Sequence, residues 1–596
     1  MSCLLFNILK EHCKIFRERY LTNTLAEDTF KNIIFRHLFI VPRNAYCLQS
    51  VIDLKTLDFK EYGSAVFAFK SLLNHSCSPN TVLVPMGSTI GTVTIKNIEA
   101  GGQIFGNYGP HHKILWREFR QDELQAKYNF LCQCVACVKN FPTYRELPPM
   151  GSHPQLQLTL TRELQQTKRI SLKTAKKSLQ KAIDYIQRYK HLYPIRQLCD
   201  AEEEIKFCYD VMARKKKRLL LIIPKILNKL KLSIKRLSLK RSNMGNMAGS
   251  YRDSGEPERE SHELYSKLCQ ILGGTRTEDK VFNDLRKMRE NEKSWKTSHS
   301  KQIDYVFKLL QQYNLFPDFA KHTEEKNDRK SEKFRQKGNF FFNSESYVEA
   351  IAEYNRSICY AVTKENISIA LGNRSAAFYR MKIVLRASDW HENFGYPDRL
   401  KDKLDEREAA CKIALKNAPK QEVFVPKIGM PANEMIPFLA NCLKLRENEY
   451  FGRHVVTEED IPAGTIIALE EPFCKMLLYS EEYLRCTVCL ADLPHLLLPC
   501  DTCTQAMFCS EECKEKASVG FHAIECPITS AMTKIFDDNV RLSLRMVLCA
   551  FLAFPDAETM ASALETINRE KKNAFSFDWR QELSPEELSR QFTHWS

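Results

Sequence analysis

Long apolar runs are what this 596-residue chain most clearly lacks. Its longest purely aliphatic run is LLLII at 219–223, far below the ~18–20 residues a membrane-spanning helix needs. The start, MSCLLFNILKEHC, has a short apolar core and no small-residue cleavage pattern. No secretory signal peptide is therefore expected. Acidic residues are missing from 214–241, RKKKRLLLIIPKILNKLKLSIKRLSLKR, which holds twelve Lys and Arg. That tract supplies most of the formal net charge of +15. The rest of the chain is close to balanced, so it does not read as a basic nucleic-acid binder. No groove-reading motif accompanies the charge, and direct nucleic-acid binding is not expected. Residues 214–218 fit a nuclear import signal, and 219–241 fit a basic amphipathic helix for an acidic surface. A solvated linker fits equally well.

Cysteine, by contrast, is plentiful, at 22 residues. Without a secretory signal these read as reduced thiols and metal ligands rather than disulfides. The richest stretch runs Cys486-x2-Cys489, Cys500-x2-Cys503, Cys509-x3-Cys513, His522-x3-Cys526. Soft and borderline donors in such pairs fit two tetrahedral zinc sites. A segment this short cannot bury a self-sufficient core, so metal is expected to supply its folding energy. A weaker signal, Cys132-x-Cys134-x2-Cys137, offers three ligands where a structural zinc takes four. Cys77, in SLLNHSCSPN (71–80), is the candidate fourth.

Hydrophobic content of 44% and charged content of 27% are those of a soluble protein of several domains. From 62 to 108 short β-like runs (AVFAF, TVLVP, GTVTI, QIFGNY) are broken by Gly, Asn and Pro. Helical periodicity returns over 141–213, and NMGNMAGSYRDSGEPERES (243–261) reads as a linker. A second helical region follows, in which Gly372 lies 34 residues after Gly338. That spacing is the tetratricopeptide period, with Gly338 and Ala350 where paired helices touch. Strand pattern resumes in FGRHVVTEEDIPAGTIIALEEPF, from 451.

Taken in order, SLLNHSCSPN, GTVTIKNIEAGGQIFGNYG (91–109) and YNFLCQCVAC (128–137) resemble the catalytic half of a SET domain with its post-SET zinc loop. Residues 486–526 resemble a MYND zinc finger. Together the segments resemble the SET and MYND domain-containing lysine methyltransferases, in their tetratricopeptide-bearing branch. The fold implied is α+β, with a β-rich SET core split between the two ends of the chain, two kinds of zinc module and tetratricopeptide-like all-α regions. The implied boundaries are 1–60 for the end of the helical SET insertion, 61–113 for the catalytic half, 114–140 for the post-SET loop and 141–213 for a C-terminal helical domain. They continue as 214–261 linker, 262–330 helical region, 331–420 tetratricopeptide-like repeats, 421–480 first SET strands, 486–526 MYND finger and 527–596 start of the SET insertion.

The resemblance implies S-adenosyl-L-methionine as methyl donor and a protein lysine as acceptor. Ser71, Leu72, Asn74 and His75 would line the donor pocket, with Asn44, Gly452 and Arg453 as further donor-side residues. Tyr108 matches the catalytic tyrosine, and Tyr128 and Phe130 the aromatics that wall the lysine channel and donor site. Alone, Tyr108 would read as a packing tyrosine and Asn74 as a turn residue; their joint order and spacing reverse that. Cys486, Cys489, Cys509 and Cys513 would share one zinc, and Cys500, Cys503, His522 and Cys526 a second. Cys77, Cys132, Cys134 and Cys137 would share a third. MYND and tetratricopeptide surfaces imply protein partners, and the family implies cytoplasm and nucleus.

The order departs from the family's, with the back half preceding the front half. A joined translation of two adjacent related genes, a circular permutation and a true fusion each account for it. The first is favoured because 214–250 matches nothing in the family and Met244 or Met247 fits an original start. His454 stands where the family's second glycine lets backbone approach the donor. The competing function is a non-enzymatic zinc-binding adaptor or transcriptional regulator that recruits partners while the split core is inactive.

Overall fold

The computed structural model describes residues 2–53, 58–86, 89–148, 172–214, 300–381 and 424–570, with isolated positions elsewhere. The basic tract beyond Arg214, the polar linker, most of 262–299, most of the second half of the repeat region and nearly all of 571–596 lie outside the described residues. Among those described, no helix is long and apolar enough to cross a membrane.

The first segment opens with three helices, α1 (Ser2–His12), α2 (Lys14–Tyr20) and α3 (Thr24–Asn44). Asn23 starts α3 by accepting the Ala26 N–H at 2.8 Å, satisfying a donor that a helix start leaves orphaned. Strands β1 (Tyr46–Asp53) and β2 (Asp58–Val66) then pair antiparallel. The AVFAF run, expected as strand, is only half so. After Val66 the chain turns into the short helix α4 (Ala68–Ser71), whose Phe69 and Lys70 N–H groups are taken by a glutamate from far along the sequence, Glu470. Next come β3 (Asn74–His75), β4 (Thr81–Met86), β5 (Thr89–Thr94) and β6 (Phe105–Gly106), with β3 and β6 paired in parallel. Helices α5 (Arg117–Tyr128), α6 (Val135–Val138), α7 (Leu172–Tyr189) and α8 (Arg196–Arg214) complete the segment. The last two pack through Ala182, Ile186, Ile205 and Met212 onto Val84 and Val93 of the sheet.

The second segment begins with α9 (Ser300–Gln312), α10 (Phe319–His322), α11 (Asp328–Asn343), α12 (Tyr347–Tyr360) and α13 (Lys364–Arg380). Gly338 of α11 faces Tyr354 of α12, and a Cβ there would stand 2.5 Å from the ring. Strands β7 (Leu443–Asn448), β8 (Gly452–Thr457), β9 (Ile466–Glu470) and β10 (Cys474–Leu477) follow. The finger contributes the hairpin β11 (Leu498–Pro499) and β12 (Met507–Phe508), then α14 (Glu511–Val519) and α15 (Phe521–Glu525). Helices α16 (Thr529–Ile535), α17 (Asp538–Leu552) and α18 (Ala557–Glu570) end the described chain.

The two segments close a single core. β10 adds to β2, with Val66 opposite Cys474 and Gly63 opposite Leu477. Only glycine fits at 63, since a Cβ would lie 2.6 Å from the Met476 carbonyl. β9 adds to β5, with Ile90 opposite Glu470 and Val93 opposite Ile466. Bridges Ile98–Ile461 and Gln103–Val456 extend the seam. Beneath it, Phe69, Leu72, Leu73 and Ile104 share a core with Leu439, Leu443, Val455 and Ile467. The helices from either end of the chain likewise share one core, in which the Phe30 ring meets Phe551 at 4.7 Å. Helices α12 and α13 lie against the finger. Arg374, buried on α13, bonds the Asn355 side chain at 2.7 Å and the Leu497 carbonyl at 2.9 Å.

Candidate active site and metal centres

The turn after α4 and the paired strands β3 and β6 set the site. Asn74 opposite Phe105 and His75 opposite Gly106 bring the 71–80 stretch beside the FGNYG stretch. The Tyr108 hydroxyl donates to the Leu73 carbonyl at 2.9 Å, and the Tyr108 N–H donates to His75 Nδ1 at 3.0 Å. Helix α5 delivers Tyr128, whose hydroxyl donates to the Tyr108 carbonyl at 3.2 Å. The Tyr108 and Tyr128 rings lie 5.0 Å apart, and Phe130 stands 6.2 Å from His75. Burial, reinforced by Tyr128, pushes the Tyr108 phenol up to about 12, so at neutral pH it keeps its proton. Asn74, His75, Tyr108, Tyr128 and Phe130 all face one cavity of about 1050 Å³.

His75 also ties this wall to a thiol cluster. Burial lowers its imidazole to about 4, so the ring is neutral. Because Nδ1 accepts from Tyr108, the proton is on Nε2, which points at Cys77 Sγ 3.3 Å away. The Sγ atoms of Cys77, Cys132, Cys134 and Cys137 lie within 4.8 Å of one another. Four thiols this close push one another's proton affinities apart, Cys77 upward and Cys134 downward. A bound soft cation would remove that conflict, so the donor set fits a tetrahedral metal. Arg120, wholly buried, braces the cluster by donating to the Ala136 carbonyl at 3.3 Å and toward Cys137 Sγ at 3.8 Å.

The finger holds two more such groups, each with ligand atoms within 4.8 Å: Cys486, Cys489, Cys509 and Cys513, and Cys500, Cys503, His522 and Cys526. The MYND resemblance implied these same interleaved groups. Ser510 caps α14 by accepting the Cys513 N–H at 3.2 Å, which aims that thiol into the first group.

Other expected residues stand nearby without facing the cavity. Ser71 turns its hydroxyl back to the Phe67 carbonyl at 2.6 Å, and Leu72 is buried in the shared core. Asn44 ends α3, its amide bonded to the Ile40 carbonyl at 3.0 Å. Gly452 and Arg453 open β8, where Gly452 adopts φ +59° with open space around it. His454 does not project outward. It is buried, and its Nδ1 meets the Gly452 carbonyl at 2.9 Å. Two front-segment residues absent from the sequence-based set do face the cavity, Tyr450 and Phe451. The Asn74 amide donates to the Phe451 carbonyl at 3.0 Å, a backbone contact that side-chain patterns could not reveal.

Two family models match parts of the chain, the SET domain over residues 7–109, which holds Asn74, His75, Cys77 and Tyr108, and the MYND finger over 486–526, which holds the two finger clusters. Among characterised relatives it is similar to the protein-lysine N-methyltransferase SMYD4 of Danio rerio, 28% identical over 258 residues, covering 39% of this chain and 33% of that protein. The human protein of the same name is 22% identical over 303 residues, 39% of this chain and 37% of its own length. A SET and MYND domain-containing protein of Dictyostelium discoideum is 40% identical over 75 residues, 13% of this chain and 6% of that protein. The chain thus spans about a third of the length of the SMYD4 relatives it matches. No solved structure matches it.

Proposed function

We propose that this chain is an S-adenosyl-L-methionine-dependent protein-lysine N-methyltransferase with Tyr108 as its key catalytic side chain. The observation that carries the reading is the assembly of Asn74, His75, Tyr108, Tyr128 and Phe130 on one cavity, completed by Phe451 from the other segment. The donor would supply a sulfonium methyl carbon for a neutral amine to attack in line, the C–N bond forming as the C–S bond breaks and S-adenosyl-L-homocysteine leaves as a neutral thioether. Tyr108 spends its proton on the Leu73 carbonyl, which leaves lone pairs on its oxygen to accept an amine N–H and aim the nitrogen. Its high proton affinity keeps that oxygen neutral. The Tyr128 and Phe130 faces favour a lysine's methylene stem and its cationic product. Carbonyl and hydroxyl oxygens at this wall stabilise the polarised methyl.

In the same reading Ser71, Leu72, Asn74 and His75, with Asn44, Gly452 and Arg453, shape the donor side through backbone as much as side chains. The cluster of Cys77, Cys132, Cys134 and Cys137 holds a post-SET zinc, which would make three zinc ions with the finger's two. Helices α11 to α13 are tetratricopeptide-like and, with the finger, offer protein-binding surfaces. Work in both cytoplasm and nucleus is consistent with the 214–218 signal. The closure of the two segments into paired strands favours catalysis over the adaptor alternative. Titration of the full-length protein with S-adenosyl-L-methionine tests the reading. Saturable one-to-one binding, lost on competition with S-adenosyl-L-homocysteine, is the expected result; absence of binding by the folded, zinc-loaded chain would overturn it.

A further inference from the structure

We infer that Glu470 is a positioning residue for the methyl donor, carrying the placement of the front segment onto the backbone that bears Ser71 to His75. The inference deepens the methyltransferase reading and rests on it. Glu470 ends β9 and is 2% exposed. One carboxylate oxygen accepts the Phe69 N–H at 2.8 Å and the other the Lys70 N–H at 3.1 Å. Those two peptide groups open the turn that leads to Asn74. At the turn's far end the Tyr108 hydroxyl bonds the Leu73 carbonyl at 2.9 Å, and the Asn74 amide bonds Phe451 at 3.0 Å. The turn is therefore held at its entry by one segment's carboxylate and at its exit by the tyrosine wall. Lys70 extends the grip to the end of α3, its ammonium donating to the Asn44 carbonyl at 3.1 Å.

A buried carboxylate is an expensive way to fill space, and an aliphatic side chain would do that at lower cost. What the carboxyl group adds is two hydrogen bonds to adjacent peptide groups, charge-assisted when it is ionised, which fix where the turn sits. Burial raises Glu470 to about 7 even against the downward pull of the two N–H groups and Lys70. The neutral amide of Glu470→Gln keeps one acceptor and turns a donor against the other N–H. The seam between segments would still close through β2–β10 and the shared apolar core, while the turn loosens.

Two measurements on the full-length protein test this. In the first, Glu470→Gln is compared with Phe551→Leu, a core change in the distant helices chosen to match its loss of melting temperature. Glu470→Gln is expected to weaken S-adenosyl-L-methionine binding at least tenfold, and Phe551→Leu less than twofold. Equal losses in the two variants, or donor binding by Glu470→Gln within twofold of wild type, would overturn the inference. In the second, amide hydrogen exchange without donor should quicken over 69–75 in Glu470→Gln and stay unchanged in α8. Unchanged exchange over 69–75 would also overturn it. A wild-type chain that binds no donor defeats the methyltransferase reading, while the exchange measurement still decides whether Glu470 holds the turn.

Discussion

The Cys77 cluster and the two finger clusters present the same donor chemistry, yet their ligands are gathered in opposite ways. All eight finger ligands come from 486–526, and what they close is a small local module. Cys77 meets Cys132 from 55 residues away, and its neighbour His75 reaches the backbone of Tyr108. A metal in the finger therefore folds its own segment, whereas a metal at Cys77 fixes the tyrosine wall against helix α5. On the proposed reading, metal sites of like donor chemistry would not weigh equally on methyl transfer. What matters is how far apart in sequence the tied pieces lie.

The comparison can be broken most directly by Cys77→Ser. That variant should lose one zinc of three and at least about 100-fold in methyl transfer, the scale for displacing preorganised groups, as checked by metal analysis and transfer assay. Tyr108→Phe should cost about 100-fold in transfer with zinc content unchanged and only the small loss of melting temperature expected for one hydrogen bond, separating the wall from the metal that braces it. Arg120→Met should weaken metal at the Cys77 cluster about 10- to 100-fold, the usual effect of removing an outer partner of a ligand, read by competition with a chromophoric chelator. Cys500→Ala should unfold the finger locally, lowering zinc content and exposing 486–526 to protease. Its effect on donor affinity should be smallest, within about threefold, because no finger residue faces the cavity. Donor affinity that fell with the finger as steeply as with Cys77 would erase the distinction.

Much of this was legible in the residues because the chemistry is local. Paired cysteine spacings declare metal ligands, while the resemblance supplied which pairs share an ion and which residues of the 71–80 and 105–109 stretches to look at. Tyr450, Phe451 and Glu470 were not legible. Phe451 acts through its carbonyl, which has no sequence signature, and Glu470 stands in a strand where glutamate ordinarily faces solvent. The reversed order of the halves was plain in the sequence. Their closure was not, because strand pairing across hundreds of residues depends on register and on single fits such as Gly63 beneath Met476. For His454 the volume was readable in the sequence, and its burial against the Gly452 carbonyl was not.

The seam between β2 and β10 also has a consequence for synthesis. On the ribosome, the strands of the first segment emerge roughly 370 to 410 residues before their partners in β9 and β10. At translation speeds of about 5–20 residues per second, that is a wait on the order of a minute. During it the edges of β2 and β5 and the apolar face around Phe69 have no cover. Collapse and loop closure take far less than a millisecond, so this interval is long enough for misassociation between nascent chains. A chain wired in this order leaves the first half of its core uncovered until the second half arrives.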